Sequence, residues 1–94
     1  MITLINDALL DEVCREAAAS QRRRKNRNFH RHDDQPGHRL LNAMQMDSYI
    51  PPHRHLDPDK DETMIVLRGL MAVLEFDAGG KIIASRAMRS LAAG

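Results

Sequence analysis

Cysteine and aromatic residues are scarce in this 94-residue chain, which has one cysteine, no tryptophan, two phenylalanines and one tyrosine. A single cysteine excludes an internal disulfide, so we expect a reducing, cytoplasmic setting. The core must come from aliphatic residues and methionine. A chain of this length has room for one domain with a small core.

Long apolar runs are also missing. The longest uninterrupted run, Leu70 to Leu74, is far shorter than the ~20 residues that cross a bilayer. Asp7, Asp11 and Glu12 interrupt the first apolar residues, which argues against a signal peptide. The formal net charge of +1 favours neither a nucleic-acid binder nor a protein for acidic substrates. We therefore expect no membrane partner.

The first apolar pattern predicts an amphipathic helix from about Asn6 to Ser20. Asn6 can accept a hydrogen bond from the first free backbone amides, and Asp7 lies beside the positive end of the helix dipole. Cys14, at the edge of the apolar stripe, is interpreted as an inert packed thiol. The stripe itself repeats every four residues and consists of Ile5, Leu9, Val13 and Ala17.

A basic segment follows the helix at residues 21–27. It contains no apolar residue, and its pattern is first that of a solvated connector. The alternative is a non-enzymatic interaction module that binds an anionic partner through residues 22–27. No aromatic residue interrupts the segment to stack on bases, which argues against nucleic acid. The five cationic residues are Arg22, Arg23, Arg24, Lys25 and Arg27.

Residues 28–85 carry a pattern of loops and strands. A turn is predicted at residues 33–37, in a loop where His30 and His32 are surface histidines or spare ligands. Arg39 to Met46 suits a buried strand, although its composition would also suit a helix. Leu70 to Phe76 and Lys81 to Ser85 predict a hairpin, because the glycines of the connecting loop can adopt positive φ.

The stretch from Tyr49 to Gly69 predicts a strand, a loop and a second strand. Alternation on an extended chain puts His53 and His55 on one face together with Tyr49. If the next apolar run folds back, Glu62 reaches the same point and completes a three-ligand metal site. The alternative to a metal site is a solvated turn without a function. Tyr49 is the candidate catalytic residue, as a proton donor or hydrogen-bond partner, although a core tyrosine is an equal alternative.

The His-x-His pair, followed by Glu62 and then by Gly69, resembles the first cupin motif. Asp47 stands where the general motif has a glycine, and the interval from histidine to glutamate is longer than usual. Together with Asn28-Phe29-His30, Arg39-Leu40 and residues 48–55, the chain resembles the small WbuC-type cupin-fold metalloproteins from about Met1 to about Ile82.

The resemblance implies a mainly-β fold, namely an incomplete cupin or jelly-roll barrel with one N-terminal helix. Residues 1–27 would be the helix and basic connector, and residues 28–94 a partial cupin domain. It further implies His53, His55 and Glu62 as ligands of a divalent transition metal, which could be Zn, Fe, Mn, Ni or Co. The implied ligand is a small sugar or sugar-nucleotide metabolite of surface-polysaccharide biosynthesis.

The last nine residues, Arg86 to Gly94, depart from this family pattern and are expected to form a short helical or frayed tail. A second cupin motif and a closing strand are not found there. We therefore expect a fragment, a disrupted reading frame, or a minimal form that pairs its open sheet edges with a second copy as a homodimer.

Overall fold

Five elements follow one another along the chain: α1 (Asp7–Ala19), β1 (Arg24–Asn28), β2 (Leu40–Met44), β3 (Leu70–Phe76) and β4 (Ile82–Arg89). They come from a computed structural model that describes residues 2–53 and 62–91. The chain divides into two units, residues 1–50 and residues 51–94.

The N-terminal helix is confirmed, with both predicted ends. Asn6 is the N-cap, and its side-chain oxygen accepts a hydrogen bond from the Leu9 amide at 3.0 Å. Ser20 is the C-cap, and its amide donates to the Ala17 carbonyl at 3.2 Å. Val13 and Ala17 are buried, so the predicted apolar stripe is the packed side of α1.

The basic segment is not merely a connector, because its second half forms a strand. β1 pairs antiparallel with β2, from Arg24 opposite Met44 to Asn28 opposite Leu40. β2 confirms a strand within residues 39–46, but the prediction that this strand is buried is wrong, because its residues are half-buried or exposed. Charged residues can form a strand when a neighbouring element offers opposite charges, and tertiary context of this kind overrides the low β-propensity of lysine and arginine.

The β3–β4 hairpin is confirmed. Asp77 organises its loop, because one carboxylate oxygen accepts from the Gly79 and Lys81 amides, both at 2.9 Å. Gly80 has a φ of 86°, in the left-handed region that glycine adopts without strain. The register shifts between Glu75 and Phe76, so one residue of β4, Ile83, is left without a partner as a bulge.

The predicted helical or frayed tail is wrong as far as Arg89. β4 continues to that residue because seven residues of β3 need partners, and Leu70 at the start of β3 lies opposite Arg89. Just beyond the strands, the Ser90 amide donates to the Gly69 carbonyl at 3.1 Å.

The strands predicted on either side of the histidine pair are also wrong in the parts that are described. Residues 49–53 and 62–69 have no strand conformation. Pro51 and Pro52 lack the amide hydrogen that a neighbouring strand would need as a donor. In the second stretch, Gly69 has a φ of 86° and breaks the extended chain immediately before β3.

Two separate two-stranded sheets and one helix therefore make up the elements within residues 2–53 and 62–91. This confirms the expectation of a mainly-β chain with an N-terminal helix, whereas the strands of these ranges do not form a closed barrel. Val13 and Ala17 are the only fully buried apolar residues in the same ranges. None of the helices described there is long and apolar enough to cross a membrane.

Candidate functional site

His53 has its ring orientation fixed by its own backbone. Its Nδ1 lies 3.0 Å from the carbonyl oxygen of Pro51. A carbonyl can only accept, so Nδ1 donates in this contact, and in the neutral ring Nε2 is then the nitrogen that keeps the lone pair. The side chain is exposed. Histidines that bind metals commonly have the other ring nitrogen held in this way.

Of the other two predicted ligands, one lies within the described residues and one does not. Glu62 is exposed and begins the second described range, whereas His55 falls outside the described residues. Within the described ranges, His, Cys, Asp and Glu side chains do not form any group of three that could hold a metal. Two imidazoles and one carboxylate nevertheless suit a divalent transition metal. The three-ligand site stays a prediction.

Tyr49, the predicted catalytic residue, belongs to the first unit, whereas His53 belongs to the second. Its side chain is 71% exposed, so it does not pack as a core tyrosine. Its backbone carbonyl accepts a hydrogen bond from Nη1 of Arg24 at 3.1 Å. A role for its phenol in catalysis stays a prediction.

The basic segment uses most of its guanidinium groups inside the first unit. Arg23 Nε lies 3.2 Å from a carboxylate oxygen of Asp47, and its Nη1 donates to the Ala18 carbonyl. Arg27 lies between two glutamates of α1, at 2.6 Å from Glu16 and 3.5 Å from Glu12. These contacts explain how a basic run packs as a strand and leave fewer cations for an external anion.

His30 and His38 stack face to face at the end of the β1–β2 ladder. Their ring centroids are 4.1 Å apart, with 5° between the ring planes. Beyond the last ladder pair the Phe29 amide donates to the Arg39 carbonyl at 2.8 Å, so His30 and His38 form the next, non-hydrogen-bonded pair. Side chains approach most closely at such pairs.

This histidine pair was missed by the sequence analysis, which grouped His30 with His32. The signal for it was positional, since His30 and His38 are equally far beyond the last ladder pair, Asn28 and Leu40. That signal can be used only when the register is known. His32 lies in the turn instead, where its carbonyl accepts from the Gln35 amide at 3.1 Å.

A cleft of about 600 Å³ lies in the first unit, between residues 3–5 and the end of the β1–β2 ladder where His30 and His38 stack. Two arginines and several apolar side chains line it. The sequence analysis missed this cleft as well, because its residues are distant in the chain and match no motif. The lining residues are Thr3, Ile5, Phe29, Arg31, Arg39 and Leu40.

Comparison with known proteins identifies a family for the chain. No curated protein and no solved structure matches it. Residues 5–88 match a family described as a domain of unknown function, DUF6016. Because this match covers most of the 94 residues, the chain belongs to the DUF6016 family.

Proposed function

We propose that this chain binds a divalent transition metal through His53, His55 and Glu62 and acts on a small sugar or sugar-nucleotide metabolite of surface-polysaccharide biosynthesis. The observation that carries the proposal is the hydrogen bond from His53 Nδ1 to the Pro51 carbonyl at 3.0 Å. It supports the proposal because it selects the tautomer in which Nε2 can donate a lone pair to a metal.

The backbone around His53 adds a second argument. Two consecutive prolines precede it, and each fixes its own φ near −65°. The segment therefore loses little backbone entropy when His53 is held in one place. A ligand on such a segment is preorganised, which is what a site with three protein ligands needs.

The chemistry follows from the donor set. A bound Zn²⁺ or similar ion would polarise a carbonyl or phosphoryl oxygen of the metabolite. In this proposal His53, His55 and Glu62 would hold the ion, and the Pro51 carbonyl orients His53. Three protein ligands leave positions open for substrate or water, as in catalytic zinc sites.

We also propose that β3 and β4 belong to a cupin or jelly-roll sheet completed by a second copy of the chain. One face of this hairpin carries four large apolar side chains that are only partly covered. A face of this kind marks an interaction surface. The four residues and their exposed fractions are Leu70 at 66%, Leu74 at 47%, Phe76 at 36% and Ile82 at 52%.

The rival function, an anionic partner bound by residues 22–27, has less support. Arg23 and Arg27 are in ion pairs within the first unit, and Arg24 donates to the Tyr49 carbonyl. A partner would have to displace these contacts or rely on Arg22 and Lys25. Ion pairs made by two exposed cations contribute little binding free energy, because solvent and salt screen them.

The test is a cobalt titration of the untagged chain, followed by absorption in the visible range. Wild type should give the bands of a Co²⁺ site of low coordination number, and His53→Ala, His55→Ala and Glu62→Gln should each lose them. His32→Ala is the matched control and should keep them. A wild-type spectrum identical to that of free aqueous Co²⁺ would rule the site out.

A further inference from the structure

The cleft in the first unit has an unbalanced charge. Its six lining residues include two arginines, Arg31 and Arg39, and no acidic residue. The ion pairs found within the described ranges involve Arg23 and Arg27 instead. A cleft with two cationic residues and no acidic residue in its lining favours an anion as its ligand.

Both arginines are attached to backbone that is held in place. The Arg39 carbonyl accepts from the Phe29 amide at 2.8 Å, which continues the β1–β2 ladder by one more pair. The Arg31 amide donates to Oε1 of Gln35 at 3.0 Å, and the Gln35 amide donates to the His32 carbonyl. The loop that carries Arg31 is thus closed by its own hydrogen bonds.

The rest of the lining is apolar or weakly polar. Ile5, Phe29 and Leu40 supply apolar surface, and Thr3 supplies a hydroxyl. The volume of about 600 Å³ is within the ~300–1,000 Å³ that small-molecule sites usually have. A ligand that fits has an anionic head and an uncharged organic part.

We propose that this cleft is a binding site for a small organic phosphate, in which Arg31 and Arg39 hold the phosphate and Phe29 contacts the organic part. Guanidinium groups match phosphate because they donate two parallel hydrogen bonds to it. The proposal concerns residues of the first unit alone and does not depend on the metal site.

The test is a titration of the full ¹⁵N-labelled chain with uridine diphosphate, monitored by amide chemical shifts. Saturable shifts should appear around residues 29–40, with a dissociation constant below about 1 mM. Uridine, which lacks the phosphates, should bind at least about tenfold more weakly, the loss expected for charge-assisted hydrogen bonds. Equal affinity for uridine and uridine diphosphate would overturn the proposal.

Variants locate the site. Arg31→Gln and Arg39→Gln should each weaken uridine diphosphate about tenfold, and Arg39→Lys should lose less because it keeps the charge. Arg86→Gln, which removes the same charge from β4, should bind as wild type does. His53→Ala should also bind normally, so failure of the metal proposal and failure of this one are distinguishable.

Two results contradict the site. One is absence of saturable binding by wild type up to about 5 mM. The other is an equal loss in Arg31→Gln and Arg86→Gln, which would mean that net charge alone attracts the phosphate. The amide spectrum of each variant also reports its fold. If Arg39→Gln unfolds, Arg31→Gln decides the question. Arg31 is an exposed loop residue, so its substitution should leave the fold intact.

Discussion

Arg27 of β1 donates from Nη2 to Oε1 of Glu16 on α1 across 2.6 Å. The pair joins the basic strand to the helix, and Glu12 adds a second carboxylate at 3.5 Å from Nη1. It explains why a segment without any apolar residue lies against the helix. Part of the basic segment at residues 21–27 therefore stabilises the packing of β1 against α1.

This contact predicts a coupling between Arg27 and Glu16. Removing either charge should lower the free energy of unfolding by about 0.5–1 kcal/mol, because the pair is only partly shielded from solvent. A double-mutant cycle with Arg27→Gln and Glu16→Gln, measured by urea unfolding, gives the coupling energy. Lys25→Gln is the control on the same strand. Strict additivity of Arg27→Gln and Glu16→Gln would contradict the coupling.

The helix cap gives a second prediction. Asn6→Ala should lower the free energy of unfolding by about 1 kcal/mol, because the Leu9 amide loses its acceptor. Asn6→Ser keeps an acceptor at the N-cap and should restore most of the loss. Urea unfolding followed by circular dichroism measures both variants. Equal stabilities for alanine and serine would mean that the cap contributes nothing.

Local signals in the sequence were sufficient for part of this fold. The cap at Asn6 and the glycines after Asp77 act over a few residues, so α1 and the β3–β4 hairpin could be predicted. β1 could not, because the glutamates that let a basic segment pack are in a different element. The cleft could not either, because residues 3–5 and 29–40 meet only in the folded chain.

For the proposed metal site, too, local signals in the sequence were sufficient for one part of the argument and insufficient for another. Residue types and spacing were enough to identify His53 and Glu62 as candidates, since ligand chemistry is a property of single residues. The argument from strand alternation failed at Pro51 and Pro52, which cannot take part in a hydrogen-bonded ladder. The hydrogen bond from His53 to the Pro51 carbonyl replaces that argument. It depends on side-chain geometry, which the sequence pattern does not specify.

The third prediction concerns self-association. Leu74→Glu puts a charge on the exposed apolar face of β3 and should convert a dimer into a monomer, because burying an unpaired carboxylate is costly. Sedimentation equilibrium over about a hundredfold concentration range measures the change. Leu4→Glu, at a leucine that is 71% exposed in the first unit, is the control. A wild-type chain that is monomeric throughout would contradict the proposed second copy.

The fourth prediction concerns the tautomer of His53. Its Nδ1 should be protonated and its Nε2 should be the unprotonated nitrogen, because the Pro51 carbonyl can only accept. Long-range ¹H–¹⁵N correlation spectra of the imidazole rings distinguish the two nitrogens. Adding Zn²⁺ should shift Nε2 of His53 and leave the rings of His30 and His38 as they were. A spectrum in which Nδ1 of His53 is the nitrogen that responds would contradict the proposed orientation.

Metal content tests the central claim most directly. Elemental analysis of untagged protein, purified without chelators, should find a divalent transition metal in wild type and in His32→Ala. His53→Ala should lose most of it, because removing one of three ligands leaves two, too few to retain the ion through purification. Equal metal content in wild type and His53→Ala would contradict the assignment of His53, His55 and Glu62 as a metal site.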